Sequence, residues 1–164
     1  MPPTKDDFRK AIGHFATGVT VITVAGGPLG VHGMTANAVS SVSLEPLLLL
    51  ICVDARARLL PLLHASERFG VNILREDQRT FSDYFAQPGD DAGAVRTLGI
   101  EFRTTPRGTP LLAECLAQFD CAVHAAHLAG DHTIFIGGVE EVALFSGRPL
   151  LYFGGGYRAL GGDL

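Results

Sequence analysis

Between Gly33 and Ser43 the sequence reads Gly-Met-Thr-Ala-Asn-Ala-Val-Ser-Ser-Val-Ser, a stretch dominated by small, hydroxyl and amide side chains. Small side chains let the backbone approach a flat ligand, whose polar edge can then be bonded by backbone N–H groups. The hydroxyls of Thr35, Ser40, Ser41 and Ser43, with the Asn37 amide, can bond a phosphate without adding net charge. The plainer account of the same residues is a polar loop joining two strands. What favours chemistry is the segment that follows. Asp54-Ala55-Arg56-Ala57-Arg58 comes directly after an apolar run and opens an expected helix. An arginine beside a helix N-terminus is a phosphate cradle. Arg56 is assigned that role, and Arg58 reads as part of a solvated helix face.

Six histidines and three cysteines invite a metal reading that their spacing does not support. His124 and His127 are three apart in an expected strand, so they face opposite ways. His14, His32 and His64 lie in separate elements. Cys115 and Cys121 are six apart, which is not a zinc-binding spacing. No metal site is assigned. Three cysteines in apolar surroundings argue against a disulfide scaffold and for a reducing, cytoplasmic setting. The phosphate-loop, G-x-G-x-x-G and G-x-S-x-G patterns are all missing; Gly154-Gly155-Gly156 follows an expected strand, but Ala159 breaks the dinucleotide pattern.

The 164 residues fit one domain spanning 1–164. Apolar residues make up 47% and charged residues 18%, more apolar material than one small monomer needs, so a second subunit is expected. A net charge of −4 leaves no basic footprint, and nucleic acid is not an expected partner. The longest apolar run, Leu47 to Val53, is far short of the ~20 residues of a membrane span. Met1 to Lys10 is too polar for a signal peptide. Thr4, followed by Phe8, Ile12 and Phe15, predicts an amphipathic helix over residues 5 to 15, ended by Gly18. Helices are also expected at 56–65, restricted by Pro61, and at 77–85. Strands are expected at 19–25, 31–36, 47–53, 69–74, 101–105, 115–127, 132–145 and 149–153. The continuous apolarity of 47–53 predicts burial on both faces. Residues 87–93 read as a mobile polar loop. Gly130-Asp131 lacks the Asp-Gly order of a tight hairpin, so an elaborated loop is expected there. Strands do not alternate with helices. The fold class is therefore mainly β with peripheral helices, an antiparallel barrel rather than a doubly wound sheet.

An ordered set of segments resembles the flavin reductase-like family over nearly the whole chain. It comprises Phe8-Arg9 through Phe15-Ala16-Thr17-Gly18-Val19-Thr20, Gly30 to Ser43 ending in Leu44-Glu45-Pro46, and Phe69-Gly70-Val71-Asn72. Gln78, Phe85-Ala86, Gly130-Asp131-His132, Gly137-Gly138-Val139 and Pro149 to Phe153 with Gly155-Gly156-Tyr157 complete it. The resemblance implies a split β-barrel of the FMN-binding type, a homodimer, and NAD(P)H:flavin oxidoreductase activity. Reduced FMN or FAD would reach a partner flavin-dependent monooxygenase by diffusion. It implies that Met34, Thr35, Ala36, Asn37 and Ala38 line the isoalloxazine ring, largely through backbone groups. Ser40 and Ser41 would face the ribityl chain or phosphate. Asp54, Ala55, Arg56 and Ala57 would hold the phosphate end. Phe85 and Ala86 would close over the flavin, from the same or the partner subunit. His132 would stand beside the nicotinamide as an orienting or donor group, the expected catalytic contributor, and Gly155, Gly156 and Tyr157 would shape that pocket. FMN and FAD are not separated by these residues. NADH is expected ahead of NADPH, because no cluster for a 2′-phosphate is visible. The sequence departs from the family at Leu47, where many relatives have a second proline, and at Gly154, where many carry a base. A non-reductase flavin- or haem-binding barrel and a pyridoxamine-phosphate-oxidase-like enzyme are the competing readings. The Gly130-Asp131-His132 element favours the reductase, since a simple binder needs no nicotinamide pocket.

Overall fold

A computed structural model describes residues 1–161. The chain forms strands β1 (Thr17–Gly18), β2 (Thr20–Ala25), β3 (Val31–Ala36), β4 (Val39–Leu44), β5 (Leu47–Asp54) and β6 (Arg68–Ile73). These are followed by β7 (Phe102–Thr104), β8 (Pro110–Leu112), β9 (Ala117–Ala129), β10 (His132–Leu144), β11 (Leu150–Phe153) and β12 (Gly156–Ala159). Four helices accompany them: α1 (Lys5–Ile12), α2 (Leu59–Ser66), α3 (Arg79–Phe85) and α4 (Ala92–Thr97). Seven strands make one antiparallel sheet in the order β3-β2-β6-β9-β10-β5-β4.

Strand alternation explains why this sheet curls into a barrel. Ile22 and Val24 of β2, Leu49, Ile51 and Val53 of β5, Phe69 and Val71 of β6, Cys121 of β9 and Phe135 of β10 share one buried cluster. Met34 of β3 and Val39 of β4 pack against it. All seven strands therefore turn one face to a common core. The two edge strands, β3 and β4, are not paired with each other, so the barrel is split between them. The other face of β2 presents Val21 to a second cluster containing Leu74, Phe85, Ile100, Leu112 and Leu150, which brings α3, α4 and the β11–β12 hairpin against the barrel.

This arrangement corrects the reading of the apolar run. On β5 only Leu49, Ile51 and Val53 point inward and are buried; Leu48, Leu50 and Cys52 are half-buried and Leu47 is half-exposed. The long-sheet strands covered on both faces are β2, buried from Thr20 to Val24, and β6, buried from Phe69 to Asn72. Strand alternation turns every second residue of the run away from the core, whatever its hydropathy.

Local boundaries shifted for identifiable reasons. Helix α1 ends at Ile12, capped by Gly13, rather than at Phe15; Thr4 and Asp7 form a capping box at its start. Helix α2 begins at Leu59, which puts Pro61 in the first turn, where its missing N–H costs nothing. Helix α4 and strands β1, β4, β8 and β12 were not anticipated. The 87–93 segment is tied to the fold at two points: His32 Nδ1 donates to Asp90 Oδ1 (2.9 Å), and the Asp91 N–H donates to the Tyr84 hydroxyl (3.0 Å). Gly130-Asp131 is a tight two-residue turn, with Ala129 paired to His132 and Gly130 at φ 63°. Glycine in the first central position suits a type II′ hairpin, so the Gly-Asp order is itself a turn signal.

The fold buries a charged group at its barrel wall. Asp120 is fully buried on β9. It accepts from Arg68 Nη2 (2.8 Å), Thr109 Oγ1 (2.5 Å) and Thr105 Oγ1 (2.9 Å), which ties the β7–β8 hairpin to the barrel wall. Burial alone would raise its pKa, but the Thr109, Arg68 and Thr105 donors outweigh burial and hold it below the ordinary value. All three cysteines are free. Burial pushes the Cys115 thiol to about 11 and Cys121 to about 12, and raises that of Cys52.

Candidate active site

The residues that opened the sequence argument lie at the split. Gly33 to Ser43 is not a loop: it comprises the end of β3, a two-residue link at Asn37-Ala38, and β4. Small and β-branched residues fit a pleated edge as readily as a loop, and composition alone did not separate the two. Because β3 and β4 are edge strands, each has a side with unpaired backbone N–H and C=O groups. Asn37 and Ala38 are exposed, and Met34, Thr35 and Ala36 are half-buried. Exposed Ser40 and Ser41 on β4 line a cavity of about 300 Å³ whose other walls are largely apolar.

The phosphate segment reaches the same edge through β5. The Cys52 N–H donates to the Ala38 carbonyl (3.2 Å), two residues before Asp54. Asp54 stands opposite His132 across the β5–β10 ladder, and the Ala55 N–H donates to the Asp131 carbonyl (2.9 Å). Met34 to Ala38, Asp54 to Ala57 and His132 therefore gather at one end of the barrel. His132 Nδ1 donates to Asp131 Oδ1 (2.7 Å), which leaves Nε2 free on a ring that is 43% exposed. That bond in turn holds the Asp131 carboxyl below its usual pKa.

Arg56 is not at a helix start, as expected from sequence. With α2 beginning at Leu59, Arg58 takes the N-cap position. Arg56 folds back on Asp54 through Nε–Oδ1 (3.1 Å) and Nη2–Oδ2 (2.9 Å) contacts, while remaining 88% exposed. The Arg56 side chain, then its backbone N–H, hold the Asp54 carboxyl well below the usual range. The segment expected to hold phosphate is thus a turn bearing a solvent-facing guanidinium.

A second group forms on the outer side of β3. The Thr35 hydroxyl donates to the Ser82 carbonyl of α3 (2.6 Å), and Ser82 Oγ bonds the Tyr157 hydroxyl (2.8 Å). The Tyr157 ring lies edge-on to Tyr152 (5.6 Å between centroids) and under the Arg79 guanidinium (5.1 Å). Burial raises the Tyr157 pKa. Gly154 and Gly155, at φ 59° and 79°, form the two-residue turn that delivers Gly156 and Tyr157 on β12. Phe85 is buried beneath Gly33, so close that a Cβ on Gly33 would lie 2.6 Å from two ring carbons. Phe85 thus supports β3 from below, and Ala86 next to it is exposed. Sequence reasoning missed Ser82 and Arg79, which carry no motif.

The donor set fits a flavin. Unpaired strand edges match the alternating carbonyl and N–H groups of the pyrimidine rim, small Ala36 and Ala38 leave room for a planar ring, and the Ser40, Ser41 and Arg56 donors suit a ribityl phosphate. Among the described residues, no three His, Cys, Asp or Glu side chains are gathered to hold a metal, and no helix is long and apolar enough to cross a membrane.

Comparison with known proteins agrees with this geometry. The family profile described as "Flavin reductase like domain" matches residues 12–161. An NADH-dependent flavin reductase from a Rhodococcus species is 40% identical over 155 residues, covering 93% of this chain and 85% of that protein. The reductase component of 4-hydroxyphenylacetate 3-monooxygenase from Thermus thermophilus is 40% identical over 157 residues, covering 95% and 97% of the two chains. Among solved structures, a Streptomyces globisporus NADH:FAD oxidoreductase in complex with NAD and FAD fragments superposes with a TM-score of 0.88. It is 35% identical and covers 99% of this chain and 96% of that one. A split barrel with a flavin-compatible edge, matched over nearly its whole length by such proteins, places this chain in the flavin reductase-like family.

Proposed function

We propose that this chain is an NADH-dependent flavin reductase that supplies reduced FMN or FAD to a separate monooxygenase. The observation that carries the reading is the open split between β3 and β4, bordered by Ser40, Ser41 and Arg56 and by a histidine that Asp131 holds in place. When bound, flavin supplies the hydride acceptor, and reduced nicotinamide supplies the hydride. The work left to the protein is to position two rings and to exclude water. Backbone groups of Met34 to Ala38 orient the flavin, while Ser40, Ser41 and the Asp54–Ala57 turn hold its phosphate arm. His132 presents Nε2 to the nicotinamide, Gly155, Gly156 and Tyr157 shape the nicotinamide pocket, and Phe85 with Ala86 underpins the flavin strand.

The test is NADH oxidation with added FMN or FAD. Loss of NADH absorbance that depends on flavin is expected; no such loss at any flavin concentration would overturn the reading. His132→Ala is expected to raise KM for NADH about tenfold, the effect of ~1.4 kcal/mol, with flavin affinity unchanged. An unaltered KM would remove His132 from the site.

The working unit is a homodimer of single-domain chains, held in the cytoplasm, where three free thiols remain reduced. Support for the dimer comes from the outward face of β5 and β10, where Leu48, Leu50, Cys52, Ile134 and Ile136 alternate with core residues. Nearby Leu44, Leu47 and Leu144 are exposed at 86%, 50% and 79%. An apolar face of this extent is covered in most proteins by another subunit. Sedimentation equilibrium is expected to give twice the 17.4 kDa chain mass; a single-chain mass at micromolar concentration would rule the dimer out.

A further inference from the structure

Ser82 is bonded to three of the segments assigned above to different parts of the site. Its carbonyl accepts from the Thr35 hydroxyl on the flavin strand (2.6 Å) and from the N–H of Ala86 (3.0 Å). Its hydroxyl bonds the hydroxyl of Tyr157 on the tail hairpin (2.8 Å). The residue is fully buried, and nothing in its own helix requires a hydroxyl there. Serine is also a weak helix former, so its presence in the middle of α3 costs a little local stability. Tyr157 is held on its remaining sides by Tyr152 and Arg79, and the Asp83 carboxylate lies near its hydroxyl. The Ser82 hydroxyl is thus the bond that ties the tyrosine hydroxyl to the helix on which β3 is anchored.

We propose that Ser82 is a positioning residue for hydride transfer: through Tyr157 it sets the nicotinamide pocket against the flavin strand. The proposal rests on the reductase reading. The two bonds separate cleanly by substitution. Ser82→Ala deletes the hydroxyl but keeps the carbonyl that Thr35 needs, so the flavin strand stays anchored while Tyr157 is released. Near-attack geometry is sensitive to shifts well under a chain diameter, and one lost hydrogen bond changes an equilibrium or rate about three- to tenfold.

The experiment compares wild type, Ser82→Ala, Ser82→Thr, Tyr157→Phe and the Ser82→Ala/Tyr157→Phe double variant. Flavin affinity, KM for NADH and the primary isotope effect with NADH deuterated at the transferred position are measured for each. Ser82→Ala and Tyr157→Phe are each expected to keep flavin affinity within about twofold. Each is expected to raise KM for NADH or slow hydride transfer about three- to tenfold, and to enlarge the isotope effect. The double variant should be no worse than either single one, and Ser82→Thr should restore most of the loss. Tyr157→Phe retains the ring and tests the same bond if Ser82→Ala does not fold. Multiplied losses in the double variant, or an unchanged isotope effect in an active Ser82→Ala or Tyr157→Phe enzyme, would overturn the positioning role while leaving the reductase reading intact. A wild-type chain without flavin-dependent NADH oxidation would overturn both.

Discussion

Asp120→Ala is expected to destabilise the protein by about 3 kcal/mol or more, because removing one partner of a buried ion pair leaves the other charge uncompensated. Arg68 keeps a bond to Glu140 (2.6 Å), which places the loss toward the lower end of that range. Thr105 and Thr109 lose the acceptor they share. For a chain of 164 residues the midpoint of thermal unfolding should fall by roughly 6–12 °C. The charge also fixes the sign of a pH effect. A carboxyl whose folded pKa lies below its unfolded value of about 3.9 stabilises above that value. The contribution disappears as pH falls through the folded pKa. Asp120→Asn is therefore expected to be less stable at neutral pH and to lose less stability than wild type on acidification below about pH 4. Scanning calorimetry from pH 7 to pH 2.5 would show both trends; equal midpoints at neutral pH would refute the role given to Asp120.

Gly33→Ala is expected to damage both the fold and the flavin site. The added Cβ would lie 2.6 Å from two carbons of the Phe85 ring, and that ring is itself buried in the second core. Either the ring or β3 has to move. Overpacking of this kind costs about 1–3 kcal/mol, and displacement of β3 carries Met34 and Thr35 with it. Flavin affinity is expected to fall about tenfold, equivalent to ~1.4 kcal/mol, as read by fluorescence titration. Phe85→Leu removes the colliding ring carbons, so Gly33→Ala/Phe85→Leu should bind flavin better than Gly33→Ala alone. This non-additivity is the mark of a direct contact. Simple addition of the two losses would show that the contact is not the cause.

The barrel was legible because strand patterns and turn glycines are local signals. Val19 to Ala25, Leu47 to Asp54 and the paired 117–129 and 132–144 strands announce themselves through β-branched and apolar runs. What escaped was decided by distant contacts. A strand over 31–36 was expected and β3 ends at Ala36, but nothing in Gly33–Ser43 says that Val39 starts a further strand; that follows from the pairing of β4 with β5. The site residues resolved unevenly for the same reason. Asp54 and His132 are 78 positions apart in sequence yet directly opposite in the ladder. Arg56 was expected at a helix N-terminus, but α2 begins at Leu59, and its bond to Asp54 follows from that later start. Ser82 gave no warning, because a single serine inside a helix looks the same whether or not a tyrosine 75 residues away bonds it.

The raised thiol pKa values have a consequence for a protein that handles oxygen-reactive electrons. Reduced flavin exposed to air yields peroxide, and peroxide attacks thiolates far faster than thiols. Cys115 and Cys121, at about 11 and 12, stay protonated at any cellular pH and are sealed in the interior. Cys52 is half-buried on the outer face of β5, and burial raises its pKa as well. Two of the three thiols are thus kept in their least oxidisable form and position, which suits a catalyst that must outlast its own leaked product.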